Sequence, residues 1–382
     1  MLPCGVPKWT IEPVITDMVS YLQSNFGYVE CDIECPTDLH IPVLGEKKDG
    51  KLMFDLVNKN YSVYSSVELL RSIELGYKVT KVYKSLSFDK CDDLFKGYVQ
   101  TFLKIKTESN GYDGDDIDDY IQRYYEHCGV MLDKTKIIKN PGMKLIAKIL
   151  LNSLWGKFGQ KDDLATTEYY TDPDKWFRLL AKHITGEIML KNETMIDENT
   201  IYVQYVSKDT KTSSLNTTNL ALAAFVTAQA RLRLYSELYK LGTRAIYCDT
   251  DSIIFHYDKD KYNIPEGDML GEWEPETDSP IIEVLALAPK SYAYKCLDGS
   301  GDIKCKGITL NYNNSKKFNH NSLAQLIDGT NTKGFIETDK MEFIKDNKTG
   351  QIRTKNTVKV ISFSPDSFKR TINYDFTTTA RE

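Results

Sequence analysis

A short polar sequence, Asp249-Thr250-Asp251, separates two apolar, β-rich segments and is the part of the chain best suited to chemistry. The flanking residues 244–248 and 252–255 predict a strand–turn–strand hairpin. Residues two apart on a strand share a face, so we expect the two carboxylates roughly 7 Å apart on one surface. Their repulsion, about 2 kcal/mol at an effective dielectric of about 20, favours a bound divalent cation. Magnesium fits, since it completes its shell with water and substrate phosphates. The alternative is a solvated acidic turn.

A second candidate site lies on a helix that the sequence predicts from about residue 140 to 159. Asn140 is a suitable N-cap, Pro141 is tolerated at the first helical position, and the glycines after Trp155 end the helix. Steps of four, four and three residues place one stripe of side chains on the same face: Lys144, Lys148, Asn152 and Trp155. Such a stripe can bind a nucleoside triphosphate through charge, a directional hydrogen bond and stacking. The alternative is an ordinary amphipathic helix with solvated lysines.

Three motifs, in order and spacing, resemble those of family B DNA polymerases. The Lys-x-x-x-Asn-Ser-Leu-Trp-Gly sequence that starts at Lys148 resembles motif B, and the Tyr-Cys-Asp-Thr-Asp-Ser sequence that starts at Tyr247 resembles motif C. Pro289-Lys290-Ser291-Tyr292 resembles the Lys-x-Tyr motif that holds the primer terminus, and the sequence at Lys306 resembles the strand after it. Segments 35–44 and 76–79 are similar to the protein-primed branch found in phages, adenoviruses, linear plasmids and self-synthesising transposons.

The resemblance implies an α+β fold, the right hand of family B polymerases, with a partial palm built on an antiparallel sheet, two-helix fingers and a small thumb. It implies that Asp251 is the principal metal ligand and Asp249 its weaker partner, with two Mg²⁺ ions in the complete enzyme. Nucleotide binding is implied for four residues: Lys148, Asn152, Trp155 and Gly156. Trp155 departs from the usual tyrosine, although tryptophan still stacks.

Contacts with DNA are implied for a further set of residues: Tyr247, Thr250, Ser252, Lys290, Tyr292 and Lys306. Those that position the primer strand contact phosphate and sugar and carry no sequence information. The partners implied by the resemblance are primer–template DNA, deoxynucleoside triphosphates and a terminal, or priming, protein. The function implied is DNA-directed DNA polymerase activity in DNA replication.

The resemblance divides the chain into six parts. These are a palm part (1–50), a protein-primed-type insertion (51–115), fingers with motif B (116–160), a second insertion (161–218), palm with motif C and Lys-x-Tyr (219–310), and thumb (311–382). We expect a helix at 116–128 to pair with the motif B helix, and a long helix at 219–240 to lead into the hairpin. Strands at 270–274, 281–287, 291–295 and 303–308 are expected to extend the hairpin's sheet, and the residues after Tyr374 to fray.

The start of the chain departs from the family pattern. The segment that resembles residues 3–7 follows motif A, an Asp-x-x-Ser-Leu-Tyr-Pro sequence, and neither this motif nor the exonuclease domain occurs here. We therefore expect the recorded chain to be a C-terminal part of a polymerase. The competing hypothesis is a non-catalytic, DNA-binding remnant of a mobile element. A reverse transcriptase is a third hypothesis, disfavoured because Thr250 separates the two aspartates. Asp32 and Glu34 spell an exonuclease-type Asp-x-Glu, but by order they belong to a palm strand.

Composition sets weaker limits. The chain has 382 residues, 41% of them hydrophobic, which suffices for two or three domains. Its net charge of −5 argues mildly against a nucleic-acid binder, but six lysines and one aspartate lie between residues 133 and 160, a local excess of positive charge. The alternative is that these lysines only solubilise the chain.

The eight cysteines show no zinc-site spacing and indicate reduced, intracellular thiols. Cys31 and Cys35 fit small strand hydrophobes better than a metal half-site. No apolar run is long enough to cross a membrane. The sequence does not distinguish nuclear, mitochondrial and virus-associated locations.

Overall fold

The computed structural model describes residues 1–160, 165–207, 218–345, 351–364, 368–375 and 377–381. In chain order the helices are α1 (Met18–Ser24), α2 (Ser66–Glu74), α3 (Lys96–Glu108), α4 (Ile117–Cys128), α5 (Pro141–Phe158), α6 (Pro173–Ile184), α7 (Leu220–Leu241), α8 (Tyr312–Lys317) and α9 (His320–Ile327). The strands are β1 (Leu2–Ile11), β2 (Gly27–Glu34), β3 (Glu46–Lys48), β4 (Lys51–Met53), β5 (Lys59–Ser65), β6 (Lys78–Cys91), β7 (Thr166–Tyr170), β8 (Ile188–Asp197), β9 (Thr200–Ser207), β10 (Ala245–Asp249), β11 (Ser252–Phe255), β12 (Ile281–Ala288), β13 (Ser291–Cys296), β14 (Gly301–Lys304), β15 (Ile336–Lys345), β16 (Ile352–Ile361), β17 (Thr371–Ile372) and β18 (Thr378–Thr379).

The chain folds as two compact units. The first contains Met1–Gly159, Asn219–Asp278 and Pro365–Glu382, and the second contains Gln160–Thr218 and Ser279–Ser364. Among the described helices, none combines the length and apolar character needed to cross a membrane. Each unit contains both helices and antiparallel strands, so the fold is α+β, as the sequence predicted.

The first unit is built on a four-stranded antiparallel sheet in the order β1-β6-β2-β5. Alternation along β2 buries Val29, Cys31 and Ile33 on one face, which is the period-two pattern of a half-buried strand. Leu69 of α2 and Tyr235 of α7 belong to the same buried cluster. These contacts fasten α7, the helix that leads into the Asp249–Asp251 region, to the core of the sheet.

A pair of helices, α3 and α5, packs side by side in the first unit. The hydroxyl of Tyr98 on α3 donates to the carbonyl oxygen of Leu150 on α5 at 3.0 Å, and the rings of Phe95 and Phe158 lie 5.1 Å apart. The predicted helix at 116–128 is present as α4, and its Tyr124 packs against α3. The prediction that α4 pairs with α5 was therefore wrong. Helical periodicity identifies apolar faces but does not say which neighbouring helix a face packs against.

The C-terminal residues return to the first unit. The guanidinium of Arg370 donates to the carbonyl oxygen of His40 at 2.8 Å and also to Thr378. The backbone N–H of Leu56 donates to the carbonyl oxygen of Arg381 at 2.9 Å. The expectation that the residues after Tyr374 fray was wrong for the described residues of that segment, because these backbone and guanidinium bonds compensate for its lack of a long apolar pattern.

Within its described residues, the second unit contains three separate sheets. The first, in the order β7-β9-β8, packs against α6 through Leu179, Ile188 and Val203. A second sheet, β12-β13-β14, and the hairpin β15-β16 share a buried cluster with α9 that includes Leu287, Ala293 and Leu323.

Two predictions about the strands after the hairpin were wrong. Strands β12, β13 and β14 form their own sheet and do not extend β10-β11, which are paired only with each other in the described part of the chain. Residues 270–274 form a turn in which Trp273 makes one isolated bridge with Glu266. Strand patterns give element type but not partner, and non-local pairing decides which sheet a strand joins.

The predicted domain boundaries coincide only in part with the observed units. Strands β5 and β6 lie in the predicted 51–115 insertion, yet they pair with β1 and β2 in one sheet. The change of unit after Asp278 divides the predicted 219–310 segment, and residues 365–382 belong to the first unit and not with the rest of the predicted thumb. The assignment of these parts to palm, insertions, fingers and thumb stays a prediction.

Candidate functional site: a nucleotidyl-transfer region

The predicted hairpin is formed by β10 and β11, and we call it the aspartate hairpin. Its strands pair in antiparallel register, with Asp249 opposite Ser252, so that the loop consists of Thr250 and Asp251 alone. Thr250 has a φ of 51°, a left-handed backbone conformation that a β-branched residue rarely adopts. The N–H of Asp251 donates to the carbonyl oxygen of Asp249 at 2.5 Å, which closes the turn across Thr250.

Asp249 is the acceptor for two more bonds of the turn. The hydroxyl of Thr250 donates to its carboxylate at 3.1 Å, and the hydroxyl of Ser252 donates to its carbonyl oxygen at 3.2 Å. Asp249 thus ends a strand, whereas Asp251 lies in the turn. The expectation that both aspartates stand on one strand surface was wrong, since it assumed that β10 continues through Asp251. The structure still brings both carboxylates to the tip of one hairpin.

A metal at this tip would have two protein carboxylates as ligands. Among the described residues there is no group of three or more His, Cys, Asp or Glu side chains that could hold a metal ion. Two carboxylates fit magnesium, which is commonly bound by one or two carboxylates together with water and substrate phosphates. The donor set of Asp249 and Asp251 is therefore compatible with Mg²⁺ but does not form a closed protein cage.

Helix α5 carries the second group of predicted residues. The side chain of Asn140 accepts a hydrogen bond from the N–H of Met143 at 3.1 Å, which confirms the predicted N-cap. Four residues on this helix are exposed, as nucleotide binding requires: Lys148, Asn152, Trp155 and Gly156. The ammonium of Lys148 makes no ion pair within the described ranges, and a Cβ added at Gly156 would meet open space.

Helix α5 also exposes much of its apolar side. Leu145, Ile146 and Ile149 are each more than half exposed, so the helix is less amphipathic in its packing than its sequence suggests. Its C-terminus joins α7 through a bond from the N–H of Asn219 to the carbonyl oxygen of Phe158 at 2.9 Å. Because α7 also leads into the aspartate hairpin, both groups of predicted residues are connected through one helix of the first unit.

Three of the six residues predicted to contact DNA lie in the second unit: Lys290, Tyr292 and Lys306. Lys290, with a φ of 62°, occupies the turn between β12 and β13, and Tyr292 lies opposite Lys304 on β14. The ammonium of Lys304 lies 5.7 Å from the centroid of the Tyr292 ring. The N–H of Lys306 donates to the hydroxyl of Ser291 at 3.1 Å. Lys290, Tyr292 and Lys306 thus share one end of the β13-β14 pair.

One residue of this region was missed in the sequence. The ammonium of Lys359 on β16 donates to the carbonyl oxygen of Lys306. It also lies 2.8 Å from the position of a Cβ added at Gly307, whose φ of 75° favours glycine. Lys359 is more than fifty residues from Lys306 in the sequence, and no local pattern indicates that the two residues are in contact.

Asp32 of the exonuclease-type Asp-x-Glu sequence forms hydrogen bonds within the first sheet. The carboxylate of Asp32 accepts hydrogen bonds from the Tyr83 hydroxyl at 2.7 Å and from the Tyr61 N–H at 2.9 Å. These bonds lower the pKa of Asp32. Asp32 therefore links three strands of the first sheet, β2, β5 and β6. Cys31 next to it is fully buried, and burial raises its thiol pKa to about 12, as expected of a small hydrophobe.

Comparison with known proteins identifies the family. Residues 1–241 match the family described as DNA polymerase type B, organellar and viral. This range includes α5 and all of α7 and ends before the aspartate hairpin. In fold, the chain is similar to phi29 DNA polymerase complexed with primer–template DNA, with a TM-score of 0.55 and 19% identity over 94% of this chain and 54% of that chain.

Curated relatives come from fungi and phages. A probable DNA polymerase of Podospora anserina is 24% identical over 71% of this chain and 21% of its own length. A probable DNA polymerase of Agaricus bitorquis is 24% identical over 86% of this chain and 39% of its own length. The DNA polymerase of Streptococcus phage Cp-1 is 29% identical over 57% of this chain and 33% of its own length. The chain thus spans less than half the length of these relatives. It belongs to the organellar and viral type B DNA polymerases and has the right-hand polymerase fold of family B.

Proposed function

We propose that this chain supplies the nucleotide-binding and metal-binding parts of a DNA-directed DNA polymerase that acts in DNA replication. The observation that carries the proposal is the aspartate hairpin, which presents Asp249 and Asp251 at one tip in a chain of the type B polymerase family. Polymerases of this type use divalent metal ions. The finer assignment, that the ions are Mg²⁺ and that the two aspartates bind them, is part of the proposal.

The residues have separate roles in this proposal. Asp251 and Asp249 would hold magnesium, which when bound neutralises the charge that develops on the transferring phosphate. Lys148 would pair with the phosphates of the incoming deoxynucleoside triphosphate, Asn152 would donate a directional hydrogen bond, and Trp155 would stack against the sugar or base. The exposure of these side chains and the open space at Gly156 support this assignment.

Primer–template DNA would be held by the second unit. Lys290, Tyr292 and Lys306 lie at one end of β13-β14, where a phosphate backbone could contact all three. Tyr247, Thr250 and Ser252 would contact the primer terminus from the aspartate hairpin. A terminal protein that provides the priming hydroxyl is the further partner we propose for the complete polymerase.

Primer extension tests the proposal directly. A labelled primer–template is incubated with the four deoxynucleoside triphosphates and MgCl₂, and either this chain or the longest product of its reading frame. Asp251→Asn should reduce extension at least about a hundredfold, since a metal ligand that acts on the transition state is lost. Asp260→Asn, an exposed carboxylate outside the hairpin, is the matched control.

Two outcomes would contradict the proposal. Extension that survives Asp251→Asn would show that the hairpin does not hold the catalytic metal. Salt-sensitive DNA binding without extension, in the chain and in the longest product alike, would instead support a non-catalytic DNA-binding protein.

A further inference from the structure

The aspartate hairpin lies outside the larger sheet of its unit. In the described part of the chain it is a two-stranded ribbon, and no further strand flanks it. Ile246 is 51% exposed, and the four residues of β11 are only partly buried. An isolated two-stranded hairpin is at best marginally stable in water. How the base of the hairpin is held should therefore influence the position of its tip.

Arg244 lies at that base, immediately before β10. Its guanidinium donates to the carbonyl oxygen of His256 at 3.2 Å, to the side-chain oxygen of Asn263 at 3.2 Å and to the carbonyl oxygen of Tyr262. The N–H of His256 in turn donates to the carbonyl oxygen of Arg244 at 2.8 Å. One side chain thus joins the start of β10 to the loop that follows β11, which closes the open end of the ribbon.

The same loop is fastened to α7 by a buried carboxylate. The hydroxyl of Tyr262 donates to Glu237 at 2.5 Å, and the ammonium of Lys240 donates to the same carboxylate at 3.2 Å. Only 6% of the Glu237 side chain is exposed. The ammonium of Lys240 also lies 4.9 Å from the centroid of the Tyr262 ring. Since α7 packs on the core of the first sheet, these bonds connect the hairpin's base to that core.

The charge on Glu237 strengthens this connection. Burial acts to raise the pKa of Glu237, but the hydrogen bonds from Tyr262 and Lys240 outweigh it and leave the pKa lowered. The carboxylate is therefore ionised at neutral pH and accepts charge-assisted bonds, which are stronger than neutral ones. Loss of one donor would leave a buried charge with fewer partners, which is costly.

We propose that Arg244, Tyr262 and Glu237 form a clasp that positions the aspartate hairpin for catalysis. The clasp touches neither substrate nor metal. It acts by fixing the ends of both strands against α7, so that Asp249 and Asp251 are presented in one place. As a role in catalysis, this inference rests on the proposed polymerase function; as a statement about the hairpin's stability, it can be tested without any activity.

Hydrogen exchange of the chain, followed by mass spectrometry, tests the clasp. Tyr262→Phe removes only the hydroxyl that bonds Glu237, and Tyr257→Phe removes the hydroxyl of a 68% exposed tyrosine in the same loop as a matched control. We expect peptides covering residues 245–255 to exchange about tenfold faster in Tyr262→Phe than in the control, with β2 unchanged. Arg244→Met should have the same local effect, and Arg244→Lys should restore part of the protection.

The result can overturn the inference in two ways. Equal exchange of residues 245–255 in Tyr262→Phe and Tyr257→Phe would show that the clasp does not hold the hairpin. Faster exchange throughout the first unit, β2 included, would show a general stabilising role. If Arg244→Met does not fold, Tyr262→Phe, which keeps the ring and its packing, still decides between these outcomes.

A second measurement concerns the catalytic role. In primer extension, Tyr262→Phe should raise the MgCl₂ concentration for half-maximal rate several-fold, with the affinity for primer–template unchanged. An unchanged MgCl₂ requirement together with faster hairpin exchange would overturn the positioning role. If wild-type protein extends no primer, the proposed function fails, whereas the exchange experiment still reports on the clasp.

Discussion

The backbone N–H of Asp251 donates a 2.5 Å hydrogen bond to the carbonyl oxygen of Asp249. The bond folds the two candidate metal ligands around Thr250, whose φ of 51° lies in the left-handed region. Such a conformation costs a non-glycine residue of order 1–3 kcal/mol and persists only where the surroundings impose it. Strain of this kind is typical of functional sites, and here it lies between the two carboxylates on which the proposed chemistry depends.

Replacement of Thr250 by glycine should separate stability from function. Glycine adopts positive φ without a steric cost, so Thr250→Gly should leave the free energy of unfolding unchanged or raise it by up to about 1 kcal/mol. The same change removes the hydroxyl that bonds the Asp249 carboxylate, so extension activity should fall. Urea unfolding and primer extension measure the two effects.

The control for this prediction is Thr166→Gly on the exposed strand β7, where no positive φ favours glycine. It should lower the free energy of unfolding by about 1 kcal/mol, since glycine weakens a strand. If Thr250→Gly destabilises as much as Thr166→Gly does, the turn is not strained at Thr250.

The pH dependence of folding should reflect Asp32. Bonds from Tyr83 and Tyr61 lower its pKa in the folded state, so its contribution to stability is complete above its unfolded pKa of about 3.9. That contribution is lost as the pH falls through the lower folded pKa. In Asp32→Asn the amide oxygen can still accept the bond from the Tyr61 N–H, and the amide NH2 can donate to the Tyr83 hydroxyl. Because this variant has no carboxyl group to protonate, it should lose less stability than wild type between about pH 5 and pH 2.

Urea midpoints measured across this pH range check the prediction for Asp32. Glu34→Gln, an exposed carboxylate on the same strand, is the control and should follow the wild-type curve. Parallel curves for wild type and Asp32→Asn would mean that the bonds to Tyr83 and Tyr61 do not favour the charged carboxylate.

Helix α5 allows a prediction about nucleotide binding. Lys148→Ala should lower kcat/KM for deoxynucleoside triphosphates by roughly 10- to 100-fold, the range expected when a hydrogen bond between two charged groups is lost. Lys139→Ala, an exposed lysine just before α5, should change kcat/KM little. Steady-state single-nucleotide incorporation measures both variants, and equal effects would remove Lys148 from the nucleotide site.

Local structure was largely predictable from the sequence because its signals are local. Asn140 as N-cap of α5, the helix α4 and the existence of a turn between β10 and β11 all follow from residue types within a few positions. The motifs on these elements gave the family for the same reason: they are contiguous stretches whose residue types can be compared directly.

Partners across long sequence distances were not predictable in the same way. The pairing of α3 with α5 depends on contacts such as that of Tyr98 with Leu150, which no local pattern encodes. The clasp likewise joins Glu237 to Tyr262, and neither residue lies in a recognisable motif. In each case a hydrogen bond or buried face selects one partner among several of equivalent periodicity.

The lysines of the second unit allow a prediction about DNA binding. If Lys306 contacts a DNA phosphate, Lys306→Ala should weaken binding to primer–templates of any sequence to a similar extent. It should also reduce the slope of log K against log salt concentration by about 0.9, because one fewer counterion is released. Lys333→Ala, which replaces an exposed lysine in the same unit, should leave the slope unchanged.

Fluorescence anisotropy with two unrelated duplex sequences across a salt series measures both the affinity and the slope. A weaker affinity with an unchanged slope would mean that Lys306 acts through the fold of β13-β14, to which its N–H bond with Ser291 belongs, and not through a phosphate.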